Sequence, residues 1–592
     1  MLWISMTDPL SHIRPDLADL PPYTRPPEPR AGIRMHMNEA PEDWPAEAKA
    51  ALLQLLATLP FQNYPERQAE LTARMARRLG APEGGVLLGP SSGALLDLIA
   101  LAGLRPGDTV AVPDPGFSLY PLLVRRHGGE VRTVSVGTEL PLAPWFERLG
   151  SRQLWLTLPN NPTGAWVEPE TLTPLLEAAA AQPEPPLVVL DEAYAEFAPR
   201  TSRLLVDRFP NVLLLRTCSK ALASASWRLG YVVGDPALIA RLAALQLPYS
   251  ISAASLEALD VALDHAPAFE SRIRDLVDRR ERMAQAFPEA PKSAANFLHL
   301  SPDPSDALSE AGLLVRRLPG ANAARVNVGD ESSTNTVATT LGRTFPPRAS
   351  RSAQRLLVLD VDGVLIDADR SFMEAVQRAL AEMRPTLPWR DDHFRGFKRV
   401  GGFNNDFRLA AGALALAESG DRDLWNELTA AVGIGFPHVE SRIQALEPEA
   451  QRVVQKHYAE TVAFERPLIG LEELEALGWD LAILTGRPPE ELDLAWKVLG
   501  FTLPAIADAA PHLRKPEPSG LLQLVDAFRA EEVVFVGDTR DDAAALRAAR
   551  NLRPEYRWTF AGVGPDRDRF LADGDLQAPT LRALLPLLKE TR

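Results

Sequence analysis

Leu214–Gly230 reads LLRTCSKALASASWRLG and carries a lysine where lysines are uncommon. The apolar run Val212–Leu215 reads as the end of a buried strand, and Thr217, Ser219 and Lys220 follow at once. Burial disfavours an ammonium and pulls its pKa down, leaving a neutral amine able to attack a carbonyl, as a Schiff-base lysine must. The hydroxyls of Thr217 and Ser219, with Arg228 close by, are groups that hold a phosphate. A surface lysine after a strand is the plainer reading, and this segment alone leaves both open.

The elements that position such groups are apolar runs ending in polar residues. Leu187–Leu190 is all apolar, as a strand buried on both faces should be, and Asp191 follows it directly. A carboxylate there is costly unless paired. Thr109–Val112 and Gln153–Leu158 are further strands, and Pro45–Ala57, Glu66–Leu79 and Ala94–Ala102 have helical spacing. Alternating strands and helices predict an α/β fold with a parallel sheet and ligand groups at strand C-terminal ends. A long helical region, Ser252–Phe287, and a smaller C-terminal subdomain follow.

The chain has 592 residues, too many for one ordinary domain. It is 46% hydrophobic and 24% charged, an ordinary globular composition. A net charge of −15 argues against a nucleic-acid partner, because affinity for phosphate backbones needs clustered Lys and Arg. With Cys218 the one cysteine, no intrachain disulfide is possible, and a cytoplasmic setting is expected. The opening MLWISMTDPLSHIRP lacks a basic n-region and a sustained apolar core, so no signal peptide is expected. No run of about 18 apolar residues occurs, so no transmembrane helix is expected.

Several segments together resemble the fold-type-I pyridoxal-phosphate (PLP) aminotransferases, most closely the histidinol-phosphate aminotransferases. They are Asn63-Tyr64-Pro65, Gly89–Gly93, Asn161-Pro162-Thr163-Gly164, Asp191-Glu192-Ala193-Tyr194 and the Lys220 stretch, in family order over about residues 15–342. The resemblance implies that Lys220 binds the cofactor aldehyde and that Asp191 pairs with the pyridine nitrogen. It implies that Asn161 and Tyr194 share the phenolic oxygen and that Phe117 stacks on the ring. Ser91, Ser92 and Gly93 would start a phosphate-binding helix with Thr217, Ser219 and Arg228; an ordinary Ser N-cap is the alternative. Here the sequence departs from the family's Gly-Ala-Asp-Glu pattern. Tyr64 would reach the PLP phosphate of the other subunit, making a homodimer necessary. Residues 1–30 are a Pro-rich arm in which Tyr23 would lie over the active site. Arg325, in Arg325-Val326-Asn327-Val328-Gly329, would bind the α-carboxylate of glutamate or a substrate phosphate, with Arg316 a second clamp.

Residues 343–354 read as a Pro/Ser/Arg-rich linker between an aminotransferase domain at 31–342 and a second domain at 355–592. Leu356–Leu359 is a fresh buried strand ending in Asp360-Val361-Asp362-Gly363. Leu481–Leu484 delivers Thr485-Gly486-Arg487, Lys515 stands before Pro516, and Val533–Val536 ends in Gly537-Asp538-Thr539-Arg540-Asp541-Asp542. This set is similar to the four motifs of the haloacid-dehalogenase (HAD) phosphatases over about residues 354–550. It implies a nucleophile, Asp360, and an acid/base, Asp362. Mg²⁺ would sit on the Asp360 carboxylate, the Asp362 backbone carbonyl, Asp538 and Asp542, with Asp541 a rival for the last place. Thr485 and Lys515 would hold the phosphoryl oxygens. Residues at about 369–466 have the size and place of a helical cap, in which Arg395, Lys398, Arg399 and Asn404 are candidate substrate contacts or solvated surface.

The combined expectation is a fused enzyme of histidine synthesis. One half would transfer the amino group of glutamate, leaving 2-oxoglutarate, onto imidazole-acetol phosphate; the other would hydrolyse the histidinol phosphate. Rival readings are another phosphorylated amino compound such as phosphoserine, a general aminotransferase beside an unrelated phosphatase, and a PLP-binding regulator.

Overall fold

The computed structural model describes residues 32–318, 320–348, 353–400, 403, 406–419, 436, 438–565, 567–569 and 571–590, with Arg14, Leu17 and Leu20. The chain divides into two compact units, Met1–Arg77 with Ala81–Arg351, and Arg78–Gly80 with Ser352–Arg592.

The first unit is built on a seven-stranded sheet. Its strands are β1 (Val86–Gly89), β2 (Thr109–Asp114), β3 (Glu130–Ser135), β4 (Gln153–Thr157), β5 (Leu187–Asp191), β6 (Val212–Thr217) and β7 (Gly230–Val233). The order is β1-β7-β6-β5-β4-β2-β3. β7 is antiparallel to β1 and β6; the other pairs are parallel. The central strands β4 and β6 are buried along their whole length and β5 along nearly all of it, which explains their unbroken apolar runs. Helix α1 (Ala46–Thr58) precedes the sheet, and α2 (Ser92–Gly103) follows β1. The helical region after β7 is two helices, α3 (Ala253–Asp264) and α4 (Ala266–Ala286), where the sequence suggests one long stretch. The break at His265 leaves Pro267 in the first turn of α4, where a missing N–H costs nothing. A small three-stranded sheet completes the unit: β8 (Phe297–Leu300), β9 (Arg316–Arg317) and β10 (Ala324–Asn327), in the order β9-β10-β8.

The second unit is a six-stranded sheet whose paired strands all run parallel. Its strands are β11 (Arg355–Leu359), β12 (Asp480–Leu484), β13 (Ala505–Ile506), β14 (Glu532–Gly537), β15 (Arg557–Gly562) and β16 (Leu576–Gln577), ordered β13-β12-β11-β14-β15-β16. Between β11 and β12 lie α5 (Asp369–Met383), α6 (Asp391–Val400), α7 (Asp406–Ser419) and α8 (Glu440–Thr461). α8 runs through Pro448, although a proline reads in sequence as a helix start. The Asp391–Val400 and Asp406–Ser419 helices fall within the expected helical cap, though their own bounds were not legible in the sequence. α9 (Arg540–Leu552) follows β14. Among the described residues no helix is long and apolar enough to cross a membrane.

Candidate active sites

In the first unit the C-terminal ends of β2, β4, β5 and β6 open into a cavity of about 710 Å³. Asp114, Phe117, Asn161, Asp191, Tyr194, Thr217, Ser219, Lys220 and Arg228 line it, with Ser92 and Gly93 from the start of α2 and Arg316 and Arg325 from the small sheet. The topology therefore brings most of the sequence-predicted residues to one place.

Asp191, at the last position of β5, is 4% exposed. Burial pushes its carboxyl up to about 6, against hydrogen bonds from the Tyr120 hydroxyl at 2.7 Å and the Ala193 amide at 3.1 Å. Tyr120 is itself fixed by Thr157 Oγ1 at 2.7 Å and packs edge-on against Trp155. A buried carboxylate with no cation beside it among the described residues fits a protonated ring nitrogen. Lys220 keeps part of its surface open to the cavity, yet protein surrounds its amine, and burial, then Arg325, bring it down to about 8. Its Nζ donates to Met37 O at 3.0 Å. Thr217 Oγ1 donates to Ser219 Oγ at 3.0 Å, so the two hydroxyls are linked beside the lysine. Gly230 must lack a side chain, because a Cβ there would lie 2.6 Å from the Ser92 amide nitrogen. That close approach sets the first turn of α2 beside the end of β6, which leads to Lys220. The residues present fit a phosphorylated aldehyde with a basic ring.

Some expected contacts take another form. The Ser91 hydroxyl caps α2 by accepting from Ala94 N at 3.1 Å, and Ser91 is not among the cavity-lining residues. Asn161 Oδ1 accepts from Arg325 Nη1 at 2.6 Å, and Tyr194 Oη accepts from Asn38 Nδ2 at 2.7 Å. Tyr64 lies outside the cavity lining, 71% exposed and stacked on Tyr249 with ring centroids 4.4 Å apart. Tyr23 lies outside the described residues.

Arg316, Arg325 and His299 stand side by side across the small sheet. Arg325 also donates to His36 O at 2.6 Å. His36 and His299 line the cavity, each with an Nδ1 that has no hydrogen-bond partner among the described residues. Sequence reasoning missed both, and missed Tyr120. Only its place two residues beyond Phe117-Ser118 pointed to it.

In the second unit, Asp360 ends β11's path, Thr485 follows β12, and Asp538 follows β14. Asp360, Asp538 and Asp542 each present a carboxylate oxygen, all within 4.8 Å of one another, a donor set suited to a hard divalent cation. Asp541 is not in that group; Asp542 is. Asp542 is aimed by a capping box, its Oδ2 accepting from the Thr539 amide at 3.0 Å and hydroxyl at 2.6 Å. Gly363 (φ 71°) leaves room for Asp538, on whose carboxylate a Cβ would fall. Lys515 Nζ bridges Asp360 Oδ2 at 2.8 Å and Asp542 Oδ1 at 2.6 Å. Burial opposes the Lys515 charge, but the two carboxylates prevail and hold it protonated. Burial likewise pushes Asp360 up, with Lys515 pulling back and Asp542 and Asp362 adding to the push. The Asp362 carboxylate turns from this group to Arg487. Thr485 is buried, its Oγ1 accepting from the Arg487 amide at 3.1 Å. Arg395 is exposed, and the side chains of Lys398 and Arg399, with Asn404, lie outside the described residues.

The first fold and cavity are those of a fold-type-I aminotransferase, and the second unit has the motif arrangement of a phosphohydrolase. The chain belongs to the aminotransferase class I and II family, which residues 31–340 match, and residues 354–550 match the haloacid dehalogenase-like hydrolases. It is 33% identical to a histidinol-phosphate aminotransferase of Thermococcus kodakarensis, over 49% of this chain and 85% of the relative. It is 32% identical to an aromatic amino acid aminotransferase of Mycobacteroides abscessus, over 54% of this chain and 95% of the relative. The fold is also that of histidinol-phosphate aminotransferase from Sinorhizobium meliloti, solved with pyridoxal-5'-phosphate. That likeness has a TM-score of 0.51 at 24% identity and covers 56% of this chain and 96% of the other.

Proposed function

We propose that the chain is a bifunctional enzyme of histidine synthesis. Its first unit would transfer the amino group of glutamate to imidazole-acetol phosphate, and its second would hydrolyse the resulting L-histidinol phosphate. The observation that carries this reading is the union, in one chain, of an aminotransferase whose cavity ends in two arginines and a unit with a phosphomonoesterase constellation.

Bound PLP supplies the electron sink that makes a substrate Cα–H acidic. Around it, Asp191 would hold the pyridine nitrogen, Asn161 and Tyr194 the phenolic oxygen, and Phe117 the ring face. Ser92, Gly93, Thr217, Ser219 and Arg228 would hold its phosphate, and Lys220 Nζ would carry the proton to and from Cα. Arg325 and Arg316 would grip either the carboxylate of glutamate or the phosphate of the keto substrate.

In the second unit Asp360 would attack phosphorus as the ester P–O bond breaks, and Asp362 would give its proton to the leaving oxygen. Water, deprotonated by Asp362, would then displace phosphate from Asp360. Asp360, Asp538, Asp542 and the Asp362 carbonyl would hold Mg²⁺, which offsets charge on the phosphoryl oxygens together with Thr485 and Lys515.

A homodimer suits the first unit. Phe61, Tyr64, Leu247 and Tyr249 are exposed by 86%, 71%, 77% and 59%, and a second copy would cover them. The aromatic aminotransferase among the relatives favours a second reading, a general aminotransferase beside a phosphatase for another ester.

The test is a screen of the whole protein, following amino transfer and phosphate release separately. Imidazole-acetol phosphate should be the best amino acceptor and histidinol phosphate the best ester. Preference for phenylpyruvate would select the second reading.

A further inference from the structure

Arg487 is 2% exposed and sits against Asp362 in the second unit. Its guanidinium donates to Asp362 Oδ1 from Nε at 3.0 Å and from Nη2 at 2.6 Å, and Nε also reaches Oδ2 at 3.3 Å. Its other contacts go elsewhere. Nη2 donates to Glu465 Oε1 at 3.0 Å, and Nη1 donates to Tyr458 Oη at 2.7 Å. Glu465 Oε1 also accepts from Tyr458 Oη at 2.7 Å and Ser371 Oγ at 2.9 Å. The guanidinium lies 5.1 Å from the Phe372 ring centroid, and Phe372 and Tyr458 stack at 5.0 Å. Ser371 and Phe372 are on α5 and Tyr458 is on α8, two of the helices between β11 and β12.

The charges are unevenly placed. Glu465 alone would balance the Arg487 cation, and both side chains are fully enclosed. Asp362 is different: its side chain is 34% exposed, yet the Arg487 guanidinium engages both of its oxygens, Oδ1 from two N–H groups and Oδ2 from Nε. A buried ion pair is a weak device for stability, since its desolvation cost offsets its attraction. A planar fork fixed on three sides is a strong device for aiming a carboxylate.

We propose that Arg487 is a positioning residue that ties the Asp362 carboxylate to α5 and α8, so that the placement of these helices sets where the proton donor stands. This inference rests on the reading of Asp362 as the acid. As Asp360 Oδ bonds to phosphorus and the ester P–O bond breaks, the leaving oxygen keeps the electron pair and takes the Asp362 proton. An alkoxide needs that proton. A nitrophenolate, stable near neutral pH, leaves without it.

The experiment measures first-turnover alcohol release by the full chain from an alkyl phosphate and from p-nitrophenyl phosphate. Asp362→Asn should slow the alkyl ester by about 10²-fold or more beyond any effect on the nitrophenyl ester. Arg487→Met should give the same bias, Arg487→Lys should recover part of it, and Tyr458→Phe should give a smaller bias of the same sign. If Asp362→Asn is biased but Arg487→Met slows both esters equally or neither, Arg487 only supports the fold and the proposal fails. Where Arg487→Met does not fold, Tyr458→Phe decides, and equal factors on the two esters overturn the proposal. An unbiased Asp362→Asn refutes the acid assignment itself and this inference with it.

Discussion

Tyr120 Oη lies 2.7 Å from Asp191 Oδ2, at the buried end of the aminotransferase cavity. The bond ties the helix Leu119–Arg126, which follows β2, to the end of β5 and limits how far burial raises the carboxyl, which stands at about 6 against an ordinary 3.8. A folded-state pKa above the unfolded one means that the folded cofactor-free protein binds the proton more tightly. The stability this contributes is full below pH 3.8 and is lost as pH rises through about 6. Asp191→Asn, which does not titrate, should therefore raise the melting temperature of the PLP-free protein by a few degrees at pH 7.5 and by less at pH 5. Amino transfer should fall by orders of magnitude, because the ring nitrogen would lose its proposed partner. Equal melting shifts at both pH values would show that Asp191 carries no uncompensated charge.

The Lys220 amine offers a second pH signature. Burial and Arg325 lower it to about 8 from 10.5, so its neutral fraction rises through pH 8. Recombination of PLP with the cofactor-free protein, followed by visible absorbance, should accelerate through that pH and level off above it. An acceleration beginning only near pH 10 would contradict the depressed amine. Lys220→Ala should abolish amino transfer and spare phosphate release.

The positions of Lys220, Asp191, Asp360, Thr485 and Asp538 were legible because each follows an apolar run, and a buried strand must end where its polar residues begin. What stayed hidden depends on contacts far apart in the chain. Asn38 donates to Tyr194 across 156 positions, and His299 joins Arg325 only through strand pairing. Arg487 was visible in Thr-Gly-Arg, but its partners Glu465 and Tyr458 lie 22 and 29 positions earlier, and nothing in the sequence pairs them with it. Ser91 shows the converse: its helix start was legible, while the choice between capping and ligand contact needed the 3.1 Å bond to Ala94.

Arg316 tests the substrate. It stands opposite Arg325 in the small sheet, and Arg325 already donates to Asn161 and His36. A phosphate dianion gains more from a second guanidinium than a carboxylate does. Arg316→Gln should thus raise KM for imidazole-acetol phosphate by about tenfold or more, the scale of a hydrogen bond to a charged group, and raise KM for glutamate less. Equal increases for both would remove the argument that the pair is built for phosphate.

Under the proposed function, Asp360 links the two reactions. Its Oδ2 meets Lys515 at 2.8 Å, and its carboxylate groups with Asp538 and Asp542. Asp360→Asn keeps the shape but removes the proposed nucleophile and one charge of the proposed metal site. Phosphate release should therefore fall by several orders of magnitude. Lys220 lies in the other compact unit, so amino transfer should continue at the parental rate. Given imidazole-acetol phosphate, glutamate and Mg²⁺, the variant should accumulate histidinol phosphate, while the parent should release histidinol and inorganic phosphate in equal amounts. Chromatography of the two mixtures reads the difference directly. A parent that completes the amino transfer and leaves histidinol phosphate intact would sink the consecutive-step proposal, even with both units active on other substrates.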